Sequence, residues 1–153
     1  MHIKENVAPW IEPYEILEQA NHFRIASQRL QGSNQNGESS LGMPSSICAV
    51  LSIELYLKYI IFNQTKDLSK LKCHNLKALF DKIILEIQMQ ILNNVSCSIS
   101  KDDFLKTLEE FQDAFEIWRY VYEYNKTTVS TRLHEISDLL NGECRRIESE
   151  KQY

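Results

Sequence analysis

Glu54 and Lys58 stand four residues apart in an otherwise apolar run, ICAVLSIELYLKYIIF, from Ile47 to Phe62. Residues at that spacing share one face of a helix, and Glu before Lys is the favourable order for an ion pair. An unpaired carboxylate on such a helix is costly, so Glu54 requires a partner: Lys58, His74 or Arg119. Such a group is either a structural ion pair or part of a functional polar pocket. His74 precedes a helix start in the run LKCHNLKALF. The positive end of the helix dipole favours a neutral imidazole there. A neutral imidazole can hydrogen-bond across the fold or serve as a base.

The run Trp118-Arg119-Tyr120-Val121-Tyr122-Glu123-Tyr124 surrounds one guanidinium with four aromatics. At about 100° per residue, Arg119 lies roughly 60° from the centre of its apolar seam and Glu123 roughly 100°. Arg119 is thus expected half-buried on the shoulder of its helix. Three roles fit: packing on the rings, an Arg–Glu pair one turn apart, or a phosphate site. The nearest metal-like pattern is His134-Glu135-Ile136-Ser137-Asp138. It would set His134 and Asp138 on one face, but Zn²⁺ needs a third ligand and the sequence offers none nearby. A solvated helix face is the simpler expectation. No GxxxxGK[ST], GxGxxG or GxSxG motif occurs.

The elements that must position these residues are helices. The chain has 153 residues and a mass of 17.9 kDa, one domain's worth, with 43% hydrophobic and 25% charged residues. These values are near the globular average and exclude a disordered chain, a collagen-like chain or a disulfide miniprotein. Seventeen basic against twenty-one acidic residues give a net charge of −4, so a general polyanion binder is not expected. From Pro44 to Asn141 neither Gly nor Pro interrupts the chain. A hairpin-rich protein needs such turns every 8–12 residues, so the fold class is all-α.

Five helical segments are expected: Pro13–Gln31, about Pro44–Asn63, about Asn75–Leu92, one from Ser100, and about Val129–Glu148. Ile16, Ala20, Phe23, Ser27 and Leu30 form the first inner stripe. The second segment, apolar nearly all round, reads as a central helix. Leu76, Leu79, Phe80, Ile83, Ile87 and Ile91 line the third. Phe104, Leu108, Phe111, Phe115, Trp118 and Tyr122 give the fourth a seam of alternating spacings 4 and 3. Leu133, Ile136 and Leu140 continue the pattern in the fifth, where Gly142 is a place to end or bend it. The stretch at about 32–43 reads as a flexible loop. The assembled expectation is a single domain over 1–153, an antiparallel up-and-down bundle of four to five helices.

The longest apolar stretch is too short and too interrupted for a bilayer, and the opening MHIKENVAPWIEP is no signal peptide. Cys48, Cys73, Cys97 and Cys144 form no CxxC pair and read as thiols of a reducing cytoplasm. Lys66, Lys70, Lys72, Lys77 and Lys82, offset by Asp67 and Asp81, net +3. They read as a solvated face.

The segments Leu51-Ser52-Ile53-Glu54-Leu55-Tyr56-Leu57-Lys58 and Lys72-Cys73-His74-Asn75-Leu76-Lys77-Ala78-Leu79-Phe80 resemble the higher eukaryotes and prokaryotes nucleotide-binding (HEPN) superfamily. There, a helix bearing E-x-x-x-K precedes H-x-L-x-x-L at the start of the next. Trp118-Arg119-Tyr120 on a later helix fits the same plan, as does the first helix with Ala20, Phe23 and Ala26. The resemblance implies a HEPN-like helical domain that forms a homodimer. Many such proteins are metal-independent RNases of toxin–antitoxin, phage-defence and RNA-processing systems. Others are non-catalytic partners of nucleotidyltransferases. The RNases carry an Arg followed, after four to six residues, by a His.

This sequence departs at that point. Tyr124, Asn125 and Lys126 stand where the His is needed after Arg119, and no other arginine has one. RNA cleavage through the 2′-hydroxyl needs a base, an acid and a cation, and Arg119 supplies only the last. The expectation is a non-catalytic or degenerate module that dimerises. It would bind a protein partner, or a nucleotide or RNA phosphate, near Arg119, Tyr120 and Glu123, with Glu54, Lys58 and His74 close by. One alternative is an active endoribonuclease in which His74 or Glu123 moves protons beside Arg119. Another is a purely structural assembly subunit. Neither a metal nor a cofactor nor a membrane is called for.

Overall fold

The apolar run around Glu54 becomes the longest helix. In the computed structural model, residues 12–31, 42–95, 99–112 and 132–152 are described. Among them all regular structure is helical: α1 (Pro13–Gln31), α2 (Gly42–Thr65), a 3₁₀ turn (Leu68–Leu71), α3 (Leu76–Asp81), α4 (Leu85–Asn93), α5 (Lys101–Glu110) and α6 (Arg132–Glu150). Helix α2 packs against α1, α3, α6 and the 3₁₀ turn, as a helix apolar on every side must. Its Ala49, Val50, Ile53, Tyr56, Leu57, Tyr59, Ile60 and Ile61 are fully buried. Burying each large side chain contributes roughly 1.5–3 kcal/mol before entropy is charged against it.

Helix α2 is longer than its apolar run. It starts at Gly42, so the end of the expected loop is already helix, and Pro44 sits in the first turn. By length and composition Met43–Thr65 is able to cross a membrane, with mean hydropathy 1.6, which corrects the expectation of too short a stretch. Of that apolar window, 72% is buried inside this protein.

The third expected helix is two. The amides of Lys82 and Ile83 bond three residues back, to the carbonyls of Leu79 and Phe80, which tightens and ends α3. Ile84 then turns extended, at ψ 143°. Two glutamines take up freed backbone groups. Gln64 Oε1 accepts from the Ile84 amide at 3.4 Å, and Gln88 Nε2 donates to the Ile83 carbonyl at 2.7 Å. The break keeps Ile83 in the core and carries Ile84 and Leu85 to the surface. The apolar stripe survives it, since Leu76, Leu79, Phe80, Ile83 and Ile91 are all buried.

Ser100 caps α5 by accepting from the Asp103 amide at 3.0 Å. The first seam residues, Phe104, Leu108 and Phe111, are buried, and Phe104 meets Phe80 edge-on at 5.4 Å between ring centres. Phe115, Trp118 and Tyr122 lie outside the described residues. Gly142 does not end α6, which runs on to Glu150.

Small residues let α6 approach α2. Ser137 meets Ser52 and Cys144 meets the Tyr56 backbone: the Ser52 and Ser137 hydroxyls are 2.6 Å apart, and Cys144 Sγ donates to the Tyr56 carbonyl at 3.9 Å. Burial pushes the Cys144 thiol well above its ordinary pKa. Cys48, Cys73 and Cys144 are all free.

Candidate functional site: a buried carboxylate and an exposed imidazole

Three of the six candidate residues meet. Glu54 and Lys58 occupy successive turns of α2, and Lys58 Nζ lies 2.7 Å from Glu54 Oε1. His74 arrives from the segment between the 3₁₀ turn and α3. Its Nδ1 lies 2.8 Å from the same oxygen. Of the three possible partners of Glu54, the structure uses two at once. Arg119, Tyr120 and Glu123 lie outside the described residues.

Local chemistry holds His74 there. Asn75 caps α3, its Oδ1 accepting from the Ala78 amide at 2.9 Å. Its Nδ2 donates to Gln112 Oε1 at 3.2 Å, tying the cap to the end of α5. The Cys73 amide bonds the Leu71 carbonyl at 2.8 Å and closes the turn from the other side. With both flanks fixed, the imidazole edge is directed at α2.

Exposure separates the three side chains. Those of Glu54 and Lys58 are only 6% and 13% exposed, whereas that of His74 is 77% exposed. The carboxylate is therefore desolvated, neutralised by Lys58, and bonded to a ring that faces water. Nδ1–H donating to Glu54 makes Nε2 the proton-accepting atom of the neutral ring. Glu54 Oε2 is buried and makes no hydrogen bond. Such a group can orient an imidazole toward an anion or toward a proton to be moved.

The basic residues around it are largely spoken for. Lys77 pairs with Asp81 at 2.7 Å, Lys82 donates to the Lys70 carbonyl at 3.3 Å, and Asp67 caps the 3₁₀ turn through Ser69.

A second polar cluster joins α1, α2 and α6. His134 was expected on a solvated face, but its ring is half-buried between two buried serines. Nδ1 lies 2.9 Å from Ser27 Oγ on α1, and Nε2 lies 3.2 Å from Ser45 Oγ on α2. Burial holds the ring below the ordinary histidine value, and Asp138 pulls the other way. Asp138, the other half of the metal-like pattern, turns instead to Arg24 and Gln28, each at 3.1 Å. Among the described residues no three His, Cys, Asp or Glu side chains are grouped to hold a metal. Ser27 falls on the inner stripe that the spacing of the first helix marks, and it is buried, but Ser45 and the bonds between the helices leave no periodic signal.

Two further polar groups secure α6. Arg146 bonds Glu143, Glu150 and Gln90, joining α6 to α4. Tyr59 donates to Glu148, which also pairs with Lys151 at 3.0 Å. A cleft of about 340 Å³ lies elsewhere, lined by Asn94, Ile99, Glu135, Asp138 and Leu139, and shares no residue with the Glu54 group.

No protein-family model matches this chain, and neither the curated proteins nor the solved structures contain a match to it.

Proposed function

We propose that this chain is a HEPN-like helical module that binds a nucleotide or RNA phosphate without cleaving it, and that it acts as a homodimer in a cytoplasmic defence, toxin–antitoxin or RNA-related system. The observation that carries the reading is the convergence of Glu54, Lys58 and His74. The E-x-x-x-K and H-x-L-x-x-L segments that suggest the superfamily supply these three side chains, and the exposed imidazole is the group that meets solvent. Arg119 is the second cation of the reading, with Tyr120 and Glu123 beside it. A protein such as a nucleotidyltransferase is the partner that the resemblance suggests.

The test is fluorescence anisotropy with a short labelled single-stranded RNA. Wild type should bind with an affinity that falls as salt rises. His74→Ala and Arg119→Ala should each weaken binding several-fold at constant salt. Absence of binding, or equal binding by all three proteins, would contradict the reading.

The second reading is an active metal-independent endoribonuclease. The hydrogen bond from His74 to Glu54 favours it, because a carboxylate-oriented imidazole is a competent base. RNA degradation in EDTA that is lost in both His74→Ala and Arg119→Ala would select it over simple binding.

A further inference from the structure

Helix α4 is built inside out. Its two glutamines turn toward the protein: Gln88 Nε2 donates to the Ile83 carbonyl at 2.7 Å, and Gln90 Oε1 accepts from Arg146 at 2.9 Å. Its large apolar side chains turn the other way. Leu85 is 72% exposed and Met89 47% exposed. Ile84 is exposed just before them, and Leu92 is half-buried beside them. Apolar residues scattered singly over a surface need no explanation, but several on one helix face mark an interaction site.

The charges around this stripe suit a second copy of the chain. Between Ile83 and Val95 the only charged residue is Glu86, in a chain of which 25% is charged. Two copies each carry −4 and repel where many charges meet, so a nearly neutral face is where they can touch. At about 100° per residue, Leu92, Leu85, Met89, Asn93 and Glu86 follow one another across roughly 120° of the helix surface. A two-fold axis at Met89 sets a second α4 antiparallel to the first. Leu85 then lies opposite the partner's Asn93, and Glu86 opposite the partner's Leu92. Glu86 and Asn93 stand on the same flank of the stripe, at opposite ends. Lys101 reaches the Asn93 end, its Nζ 3.0 Å from Asn93 Oδ1. The pairing therefore brings each Glu86 to the partner's Lys101. Glu86 is exposed and makes no ion pair among the described residues, so it is available for that contact.

We propose that α4 is a docking surface for a second copy of this chain, paired antiparallel about a two-fold axis at Met89. Leu85 and Met89 form the centre of the contact, and Glu86 with the partner's Lys101 closes each end. The pairing names the contact surface of the homodimer in the proposed function and rests on that part of the reading. It asks nothing of the Glu54 group or of RNA.

Sedimentation velocity of the full chain over a dilution series tests it. A pair of nine-residue helices buries less than the roughly 800 Å² per partner of a standard interface. Wild type should therefore be monomeric when dilute and dimeric at the concentrated end of the series. Met89→Lys sets two ammonium groups together at the axis and should raise the dissociation constant by about tenfold or more. Glu86→Lys and Lys101→Glu each set like charges against one another and should each raise it several-fold. Mixed in equal amounts, these two variants bring opposite charges together at both ends of a mixed dimer, and association should return. Met89, Glu86 and Lys101 are all exposed, so the variants should fold. Wild type that stays monomeric throughout would overturn the pairing and the homodimer together, and would leave the stripe to a different protein. A dimer that Met89→Lys leaves intact, or that mixing the two charge variants does not restore, would overturn the α4 pairing and leave the homodimer standing.

Discussion

Glu54 and His74 lie twenty residues apart in the chain and meet through one hydrogen bond of 2.8 Å, between a carboxylate that water does not reach and a ring that water surrounds. Lys58 closes on the same oxygen at 2.7 Å. The arrangement has two consequences, one for stability and one for binding. The carboxylate is a structural liability unless both partners stay. The ring is a polar tip held rigidly at the surface by groups that have no other exposure.

The stability consequence is measurable. Glu54→Leu leaves the nearly buried Lys58 ammonium without its partner. Breaking a buried pair in this way costs about 3–5 kcal/mol, a fall in Tm on the order of 10 °C for a chain of this size. Adding Lys58→Met should recover much of the loss, because the orphaned charge is then gone. Thermal unfolding of the single and double variants checks both steps. An unchanged Tm for Glu54→Leu would show that the pair does not matter.

Gly142 offers the opposite sign. It is exposed within α6, and a Cβ built there meets nothing within 4 Å. Glycine in a helix interior costs about 0.5–1 kcal/mol relative to alanine. Gly142→Ala should therefore raise Tm by about 2–4 °C. A fall in Tm would mean that α6 needs a flexible point there after all.

A third expectation concerns acid. The Tyr59 hydroxyl, more than any other neighbour, holds the Glu148 carboxyl below its ordinary pKa, while Lys151 assists and burial opposes. A depressed folded-state pKa gives stability that is present above the unfolded value, near 4.3, and lost as pH falls through the folded value. Tyr59→Phe should destabilise the protein at pH 7, and the gap from wild type should narrow toward pH 3. Urea unfolding at the two pH values reads this directly. A gap of the same size at both would remove the carboxylate from the account.

The helical class was legible because a run without Gly or Pro from Pro44 to Asn141 leaves hairpins no turns. The central position of α2 was legible because a helix without a polar face has no way to sit at the surface. The partners of Glu54 could be narrowed to three groups by the cost of leaving it alone, but choosing among them required the fold. The break between α3 and α4 was hidden because the glutamines that relieve it, Gln64 and Gln88, come from a distant helix and from the next turn. The periodic stripe reads straight through it. Ser27 was legible on the inner stripe of α1, but its bonds and those of Ser45 were hidden for a similar reason: they run to backbone on another helix, and no spacing along one helix encodes that.

The most direct measurement is the response of the histidine rings to RNA. Ring resonances of His22, His74 and His134 are followed by NMR while a short single-stranded RNA is added at constant pH and salt. The account predicts saturable shifts at His74, little change at His22 and His134, and loss of the His74 response in Arg119→Ala. RNA at high concentration that leaves the His74 signals unmoved would contradict it.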